Sequence, residues 1–408
     1  MIELSKPKSE RIEFIDALRG FTLLGIGIVH MVEQYYAGPH PSKFQNFHVK
    51  FLGDEIISGL VGIFISGKFY MIFSFLFGLS FFLQLKNSDG SIRFALRFIW
   101  RLVILFLIGF VHHLHYRGDI LTIYAVLGLA LVAVHKMPDK FILVIGLLLM
   151  LNVPSIVVRA INAVQYDPTK KENPMDSFMG NDSTNQIYYN TVKNGSYLSL
   201  MTANLNEFAF KANFQVESGR VYITTGLFLL GLYVGRKKVF ENILDRKALF
   251  KKGLKLCLWT LLGCVIFSAV FFGGFQLLKI ELNQSIQWLV GGAVFDVFNA
   301  SLALLYCCTL ALLFQKAIWQ KRLGGLYFVG RMGLTTYLLQ TAFGVILFFG
   351  VGFGLLGEIG ALLSTGLSIL FFVLQVQFSK WWLARFKYGP IEWLWRSLSL
   401  LKVQPLKA

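Results

Sequence analysis

Apolar residues in this chain fall in long unbroken runs separated by short polar intervals, without the period-two alternation of half-buried strands. A helix that crosses a bilayer needs about 20 mostly apolar residues. Runs at 14–32, 69–85, 99–115, 120–135 and 141–161 approach or reach that length. After a polar interval come further runs at 221–235, 256–278, 288–314, 334–353 and 359–378. The pattern predicts an all-α fold, a polytopic transmembrane helical bundle of about ten helices. The stretch 56–66 is apolar but too short to span, and predicts a segment lying in the interface or dipping back into the protein. The runs divide the chain into a five-helix membrane half (1–162), an extracytoplasmic loop or cap (163–219), a second five-helix half (220–379) and a cytoplasmic interfacial tail (380–408).

Composition strengthens this picture. Apolar residues make up 55% of the chain and charged residues only 15%, with Phe alone contributing 40 positions. A soluble domain carries roughly a quarter charged residues, so the deficit points to a lipid bilayer as the chain's principal partner. The net charge of +17 raises nucleic acid as a partner. The basic residues, however, lie between the hydrophobic runs, as lysines and arginines do at a cytoplasmic membrane face, and nucleic acid is set aside.

Charge also sets direction. With Lys6, Lys8 and Arg11 inside, ten crossings return the C-terminus to the same side, so both termini are predicted to be cytoplasmic. That side then holds Arg93, Arg97, Arg101 and the tail residues Lys380, Arg385, Lys387 and Arg396. It also holds the interval 236–255, where eight basic residues face two acidic ones. The interval 163–219 falls outside, with four basic against six acidic residues. Its Tyr188, Tyr189, Tyr197, Phe208 and Phe210 favour a partly ordered cap over a plain tether. The charged N-terminus carries no small-residue cleavage signal, so the first run is predicted to be retained as a helix. Cys257, Cys264, Cys307 and Cys308 sit in apolar runs without metal-ligand spacing, and no metal site is predicted.

Polar residues at membrane depth are costly and therefore informative. In the first run, Asp16 and Arg19 share a face at i and i+3. His30 lies eleven positions beyond Arg19, on the same face and about 16 Å further along a helix. A cytoplasmic anchor pair with an interfacial histidine accounts for them, and so does a functional stripe. At the outer junction of the third and fourth runs stands His112-His113-Leu-His115-Tyr-Arg117-Gly-Asp119. His beside Asp suits general acid/base work, and an ordinary interfacial helix end suits the same composition. In the ninth run, Arg331 precedes Thr335, Thr336 and Gln340, residues that serve either as helix-to-helix glue or as the lining of a passage. After the Gly389-Pro390 turn, the tail reads as an amphipathic interfacial segment in which Glu392 and Arg396 can pair.

These segments occur together in one family. Phe14-Ile-Asp16-Ala-Leu-Arg19-Gly20, Lys68 through Gly78, Gly118-Asp119-Ile-Leu-Thr-Ile-Tyr124, Gly330-Arg331-Met332 and Gly389-Pro390-Ile-Glu392-Trp393 resemble the YeiB-like bacterial membrane proteins, those with domain of unknown function 418. The resemblance implies a multi-pass protein of the bacterial inner membrane, in a family often assigned to transport. More distantly, the Arg19/His30 spacing is similar to that of integral-membrane acyltransferases of the acyltransferase-3 type, although YeiB-like relatives more usually place Asn where this chain has His30. That similarity implies acyl transfer from a cytoplasmic acyl-CoA to a small-molecule or glycan acceptor, with no permanently bound cofactor. His30 would then be general base or acyl carrier, with His112 and Asp119 orienting it or the acceptor. Asp16, Arg19, Arg331, Thr336 and Gln340 would form the binding surface. The alternative is a transporter or exporter of a small solute, with Asp296 in the eighth run as its candidate proton site. The sequence specifies no oligomeric state.

Overall fold

A computed structural model describes residues 12–44, 48–86, 88, 91–165, 181–241 and 243–407. The described residues are helical in every membrane segment, and the fold is an all-α polytopic bundle. Lys6, Lys8 and Arg11, and residues 166–180 of the polar interval, lie outside the described residues.

In chain order the helices of the first half are α1 (Glu13–Val32), α2 (Leu52–Phe64), α3 (Phe69–Lys86), α4 (Ile92–His115), α5 (Leu121–Val134), α6 (Asp139–Met150) and α7 (Val153–Val164). The polar interval forms α8 (Asp182–Asn194), α9 (Tyr197–Asn206) and α10 (Phe208–Glu217). The second half holds α11 (Arg220–Arg236), α12 (Lys247–Leu277), α13 (Gln284–Phe314), α14 (Ala317–Arg331), α15 (Gly333–Phe348), α16 (Ala361–Leu383) and the tail helix α17 (Pro390–Ser399).

Every apolar run read from the sequence lies on a helix, but fewer helices than ten have full spanning length. Among the described residues six stretches are long and apolar enough to cross a membrane, and the bent pair α6–α7 makes a seventh. The fifth run is not one straight helix. Asn152 adopts the left-handed conformation (φ 58°), Pro154 follows in the first turn of α7, and the axes bend by 44°. The segment 56–66 does not stand alone either: α2 continues through a turn at 65–68 into α3, giving a 35-residue stretch. The apolar helices α5 and α15 have 14 and 16 residues, too short to cross a bilayer unaided.

Small residues let the central helices touch. At Gly20 of α1 and Gly330 of α14, an added Cβ would lie 2.0 Å from the Leu326 carbonyl oxygen and 1.8 Å from that of Asp16, respectively. Gly78 of α3 and Gly231 of α11 meet in the same manner, at 1.9 Å from the Phe228 oxygen and 2.1 Å from the Phe75 oxygen. Lipid gives apolar helices no hydrophobic reason to associate, so close backbone approach and packing must hold them together. By contrast α12 is mostly exposed, with Leu256, Trp259, Val265 and Val270 on its surface, and leans on α13.

At one end of the bundle the three helices α8–α10 form a cap. Tyr188, Tyr189 and Leu200 pack with Tyr35, Tyr36 and Phe348, and Lys193 reaches both the Leu356 carbonyl and Glu358. The opposite end carries the basic helix ends and α17. There Glu392 does not pair with Arg396. Its carboxylate accepts from the backbone N–H groups of Leu334 (2.6 Å) and Thr335 (3.0 Å), closing the N-terminus of α15.

Gly78→Val should lower the melting temperature of the detergent-solubilised protein by the equivalent of about 1–3 kcal/mol of overpacking. Gly263→Val, with nothing within 4 Å of its Cβ, is the matched control and should leave it unchanged. Equal melting of the two variants would refute the close α3–α11 contact.

Candidate functional site

Two cavities lie back to back inside the bundle. The cap-side cavity, about 520 Å³, opens beneath α10 and is bordered by the end of α1, the turn before α3 and the start of α11. The basic-side cavity, about 310 Å³, is bordered by α1, α3, α4, α15 and the tail helix. Phe73, Tyr124 and Tyr337 line both, so these three rings are the wall between them. The wall is held in place: Tyr124 Oη meets Ser74 Oγ at 2.6 Å and donates to the Tyr70 carbonyl at 3.2 Å.

His30 borders the cap-side cavity. Its ring packs edge-on against Tyr35 and Tyr116 and faces Tyr337, with centroids 5.3, 5.4 and 6.3 Å away. The ring makes no hydrogen bond with any described residue, and its Nδ1 is buried without a partner. A buried polar atom left unpaired costs free energy unless a ligand or water meets it. Tyr35 Oη, in the same cluster, is likewise buried and unpartnered.

The 112–119 motif has a different character. His112 Nδ1 lies 2.8 Å from Asp119 Oδ1 and its Nε2 lies 2.9 Å from Thr341 Oγ1, so both ring nitrogens are occupied. A carboxylate only accepts, which places the proton of that contact on Nδ1. Asp119 also accepts from Leu121 N and Thr122 N (both 3.0 Å), from Thr122 Oγ1 (2.7 Å) and from Lys211 Nζ (3.1 Å). Burial opposes its ionisation, yet His112, Lys211 and Thr122 together hold the carboxyl well below the usual carboxylate range. Burial pulls the Lys211 ammonium down, and Asp119 opposes that pull.

The remaining motif residues hold the cap. His113 Nε2 contacts the Asn204 carbonyl at 2.8 Å, and His115 Nε2 meets Tyr197 Oη at 2.6 Å. Arg117 donates to the Tyr36 carbonyl (3.0 Å) and Glu207 (3.2 Å), with its guanidinium 3.7 Å from the Tyr188 ring centroid. No group of three or more metal-ligating side chains occurs among the described residues.

The other sequence-predicted residues separate into two groups. Arg19 and Arg331 line the basic-side cavity. Arg19 donates to Asp16 (2.7 Å) and Ser80 (3.0 Å), while Arg331 donates to the Lys387 carbonyl (3.2 Å). Asp16, Thr336 and Gln340 line neither cavity. Gln340 bonds the Leu23 carbonyl and Gln375, and Gln375 bonds the Thr336 carbonyl, which ties α1, α15 and α16 together. Asp296 also lines neither cavity, accepting from Asn152 (2.8 Å) with Arg159 3.9 Å away, although it lies within the field of Arg220 at the edge of the cap-side cavity.

Sequence reasoning missed Lys211, Glu33 and Arg220. Lys211 sits in a polar helix and looks like a surface lysine. Glu33, three residues past His30, and Arg220, opening an apolar helix, are visible as positions, but sequence spacing gives neither a partner.

A multi-pass helical membrane protein with paired internal cavities is thus defined. The family described as "Protein of unknown function (DUF418)" matches residues 234–402. An uncharacterized 39.9 kDa protein in the amylase 3' region of Bacillus acidopullulyticus is 28% identical over 409 residues, covering 97% of this chain and 96% of the relative. Uncharacterized protein YxaH of Bacillus subtilis (strain 168) is 28% identical over 414 residues, 98% and 96% of the two chains. YeiB of Escherichia coli (strain K12) is 40% identical over 77 residues, 19% of this chain and 20% of its own. The family match over the C-terminal part of the chain and these relatives support a YeiB-like DUF418 relationship. No solved structure matches it.

Asp119→Asn leaves the Lys211 ammonium buried beside a neutral amide, and should lower stability by about 3–5 kcal/mol in thermal melts. The sign of the pH effect follows from the depressed carboxyl. The wild type holds this stabilisation at neutral pH and loses it as pH falls below about 4. The variant should lack that acid limb. Superimposable melts across pH would exclude the role of the Asp119 cluster in holding the cap.

Proposed function

We propose that the protein is a membrane-embedded acyltransferase of the bacterial inner membrane, with both termini cytoplasmic. It moves an acyl group from a cytoplasmic acyl-CoA to an acceptor in the cap-side cavity. The observation that carries this reading is the pair of cavities meeting at the Phe73–Tyr124–Tyr337 wall, with unpartnered His30 bordering one and arginines bordering the other.

Acyl-CoA is a consumed substrate in this reading. Its phosphates suit the basic-side mouth, where Arg331 and Arg101 stand, the latter 4.7 Å from the Trp395 ring centroid. Arg19 is held by Asp16 and Ser80 and shapes the cavity deeper in. The thioester would pass the aromatic wall to reach His30, whose ring lies three turns of α1 beyond Arg19. The neutral imidazole takes a proton from the acceptor hydroxyl or amine as that atom attacks the thioester carbonyl. The C–S bond breaks, and the CoA thiolate leaves with the proton returned by the imidazolium. His112 and Asp119 act at one remove: His112 packs on Tyr116 and Tyr337, the rings that flank His30.

The same two cavities support a second reading, a solute path gated by the aromatic wall. Asp296 is held by Asn152 and Arg159 and lines neither cavity, so it does not strengthen this reading.

Purified protein in nanodiscs with labelled acyl-CoA should move label to a product other than CoA. His30→Ala should reduce the rate by about 10²–10⁴-fold. Arg331→Ala should raise KM for acyl-CoA with little change in kcat. Unchanged transfer in His30→Ala removes its assigned role. Solute uptake driven by a proton gradient, without label transfer, decides for the second reading.

A further inference from the structure

The cap-side cavity is lined by six charged side chains that can be sorted by what they touch. Arg117 pairs with Glu207, and Lys211 pairs with Asp119. Glu33 and Arg220 remain. Neither side chain has a hydrogen bond or ion pair with any described residue, although each lies within the other's electrostatic field. Glu33 is deep in the protein yet presents open surface to the cavity, and so does Arg220. The six lining charges balance, and one carboxylate and one guanidinium among them make no hydrogen bond or ion pair with a described residue, with Asp296 outside the lining adding its field at Arg220.

From this geometry we infer that the cavity receives a small zwitterion, a ligand carrying an ammonium and an anionic oxygen group on one short skeleton. Arg220 is the anion site. Its guanidinium stands 5.5 and 5.1 Å from the ring centroids of Tyr70 and Phe214, which fix its plane and leave its donors for a carboxylate or phosphate. Glu33 is the ammonium site. Burial pushes its carboxyl up and only Arg220 opposes that, so an incoming ammonium beside it restores the charged form. A ligand of one sign would satisfy one of the two groups and leave the other unpaired, which is the physical basis for discrimination.

Glu33 is three residues beyond His30, so an amine held by Glu33 lies on the His30 side of the cavity. That step rests on the acyltransfer reading: the amine end of the zwitterion, or a hydroxyl beside it, is then the acceptor atom. The binding claim itself stands without it. The same chemistry occurs in free phosphoethanolamine and in the headgroup of phosphatidylethanolamine, and the experiment distinguishes these sources.

Binding is read by thermal shift and calorimetry on the full-length protein in nanodiscs of phosphatidylglycerol. The probes are phosphoethanolamine, ethanolamine and inorganic phosphate. Phosphoethanolamine should bind at least roughly tenfold more tightly than either half-ligand. Glu33→Gln should abolish that advantage and favour phosphate, and Arg220→Gln should abolish it and favour ethanolamine. Stabilisation on replacing the nanodisc lipid with phosphatidylethanolamine, lost in both variants, identifies the lipid as the source. Stabilisation by the free compound alone identifies a soluble ligand. Equal binding of the zwitterion and a half-ligand to the wild type overturns the inference, and this comparison holds even if a variant fails to fold. Zwitterion binding without acyl transfer overturns the proposed enzyme alone, whereas acyl transfer without zwitterion preference overturns this inference alone.

Discussion

A helix that starts in a dry interior leaves its first backbone N–H groups without water, and each needs an acceptor. This protein solves that problem with buried or half-buried carboxylates. Asp119 accepts from the first N–H groups of α5, Glu392 from those of α15, and Asp54 of α2 from Leu362 N of α16. Acidic side chains are scarce, and these three close helix starts where the positive end of the helix dipole favours them. The consequence is positional. Tyr124 and Tyr337, two of the three wall residues, each sit about one turn beyond such a capped start. The division between the cavities therefore depends on where two short helices begin.

The carboxylates also bind distant elements together. Glu392 belongs to the tail helix, so the tail is clamped to the membrane bundle and does more than lie in the interface. Asp119 takes Lys211 from the cap, with Arg117 and Glu207 making a second link beside it. Charge-assisted bonds of this kind are roughly twice as strong as neutral ones. The motif from His112 to Asp119 thereby becomes the cap's mounting as well as part of the cavity floor.

The sequence made the helices legible because apolar run length is a direct physical requirement of the bilayer. It also flagged Arg19, His30 and Arg331, since polar residues at membrane depth are few. Its limits have specific causes. The bend at Asn152 depends on one residue adopting a left-handed conformation beside Pro154, which run length does not register. Glu392 suggested Arg396 by i,i+4 spacing, but two unsatisfied N–H groups of α15 compete more strongly than an exposed arginine. Thr336 and Gln340 read equally as glue or lining, and only packing against Leu23 and Gln375 separates those roles. Lys211 is beyond any local pattern, because its partner lies 92 residues earlier in the chain.

His30 and His112 show why composition alone does not assign chemistry. Both are histidines in helices, both touch Tyr116 and Tyr337, and both lie near the cap end. His112 is saturated: Asp119 fixes one nitrogen and Thr341 the other, so a proton taken there would have to break an existing bond. His30 has no such bond to break: its Nδ1 is buried without a partner. The histidine beside an aspartate, which resembles a catalytic pair in sequence, thus has both ring nitrogens engaged within the protein. The solitary histidine, surrounded by tyrosines at the edge of the cavity, is the one left without a partner, and the proposed acid–base role rests on that difference.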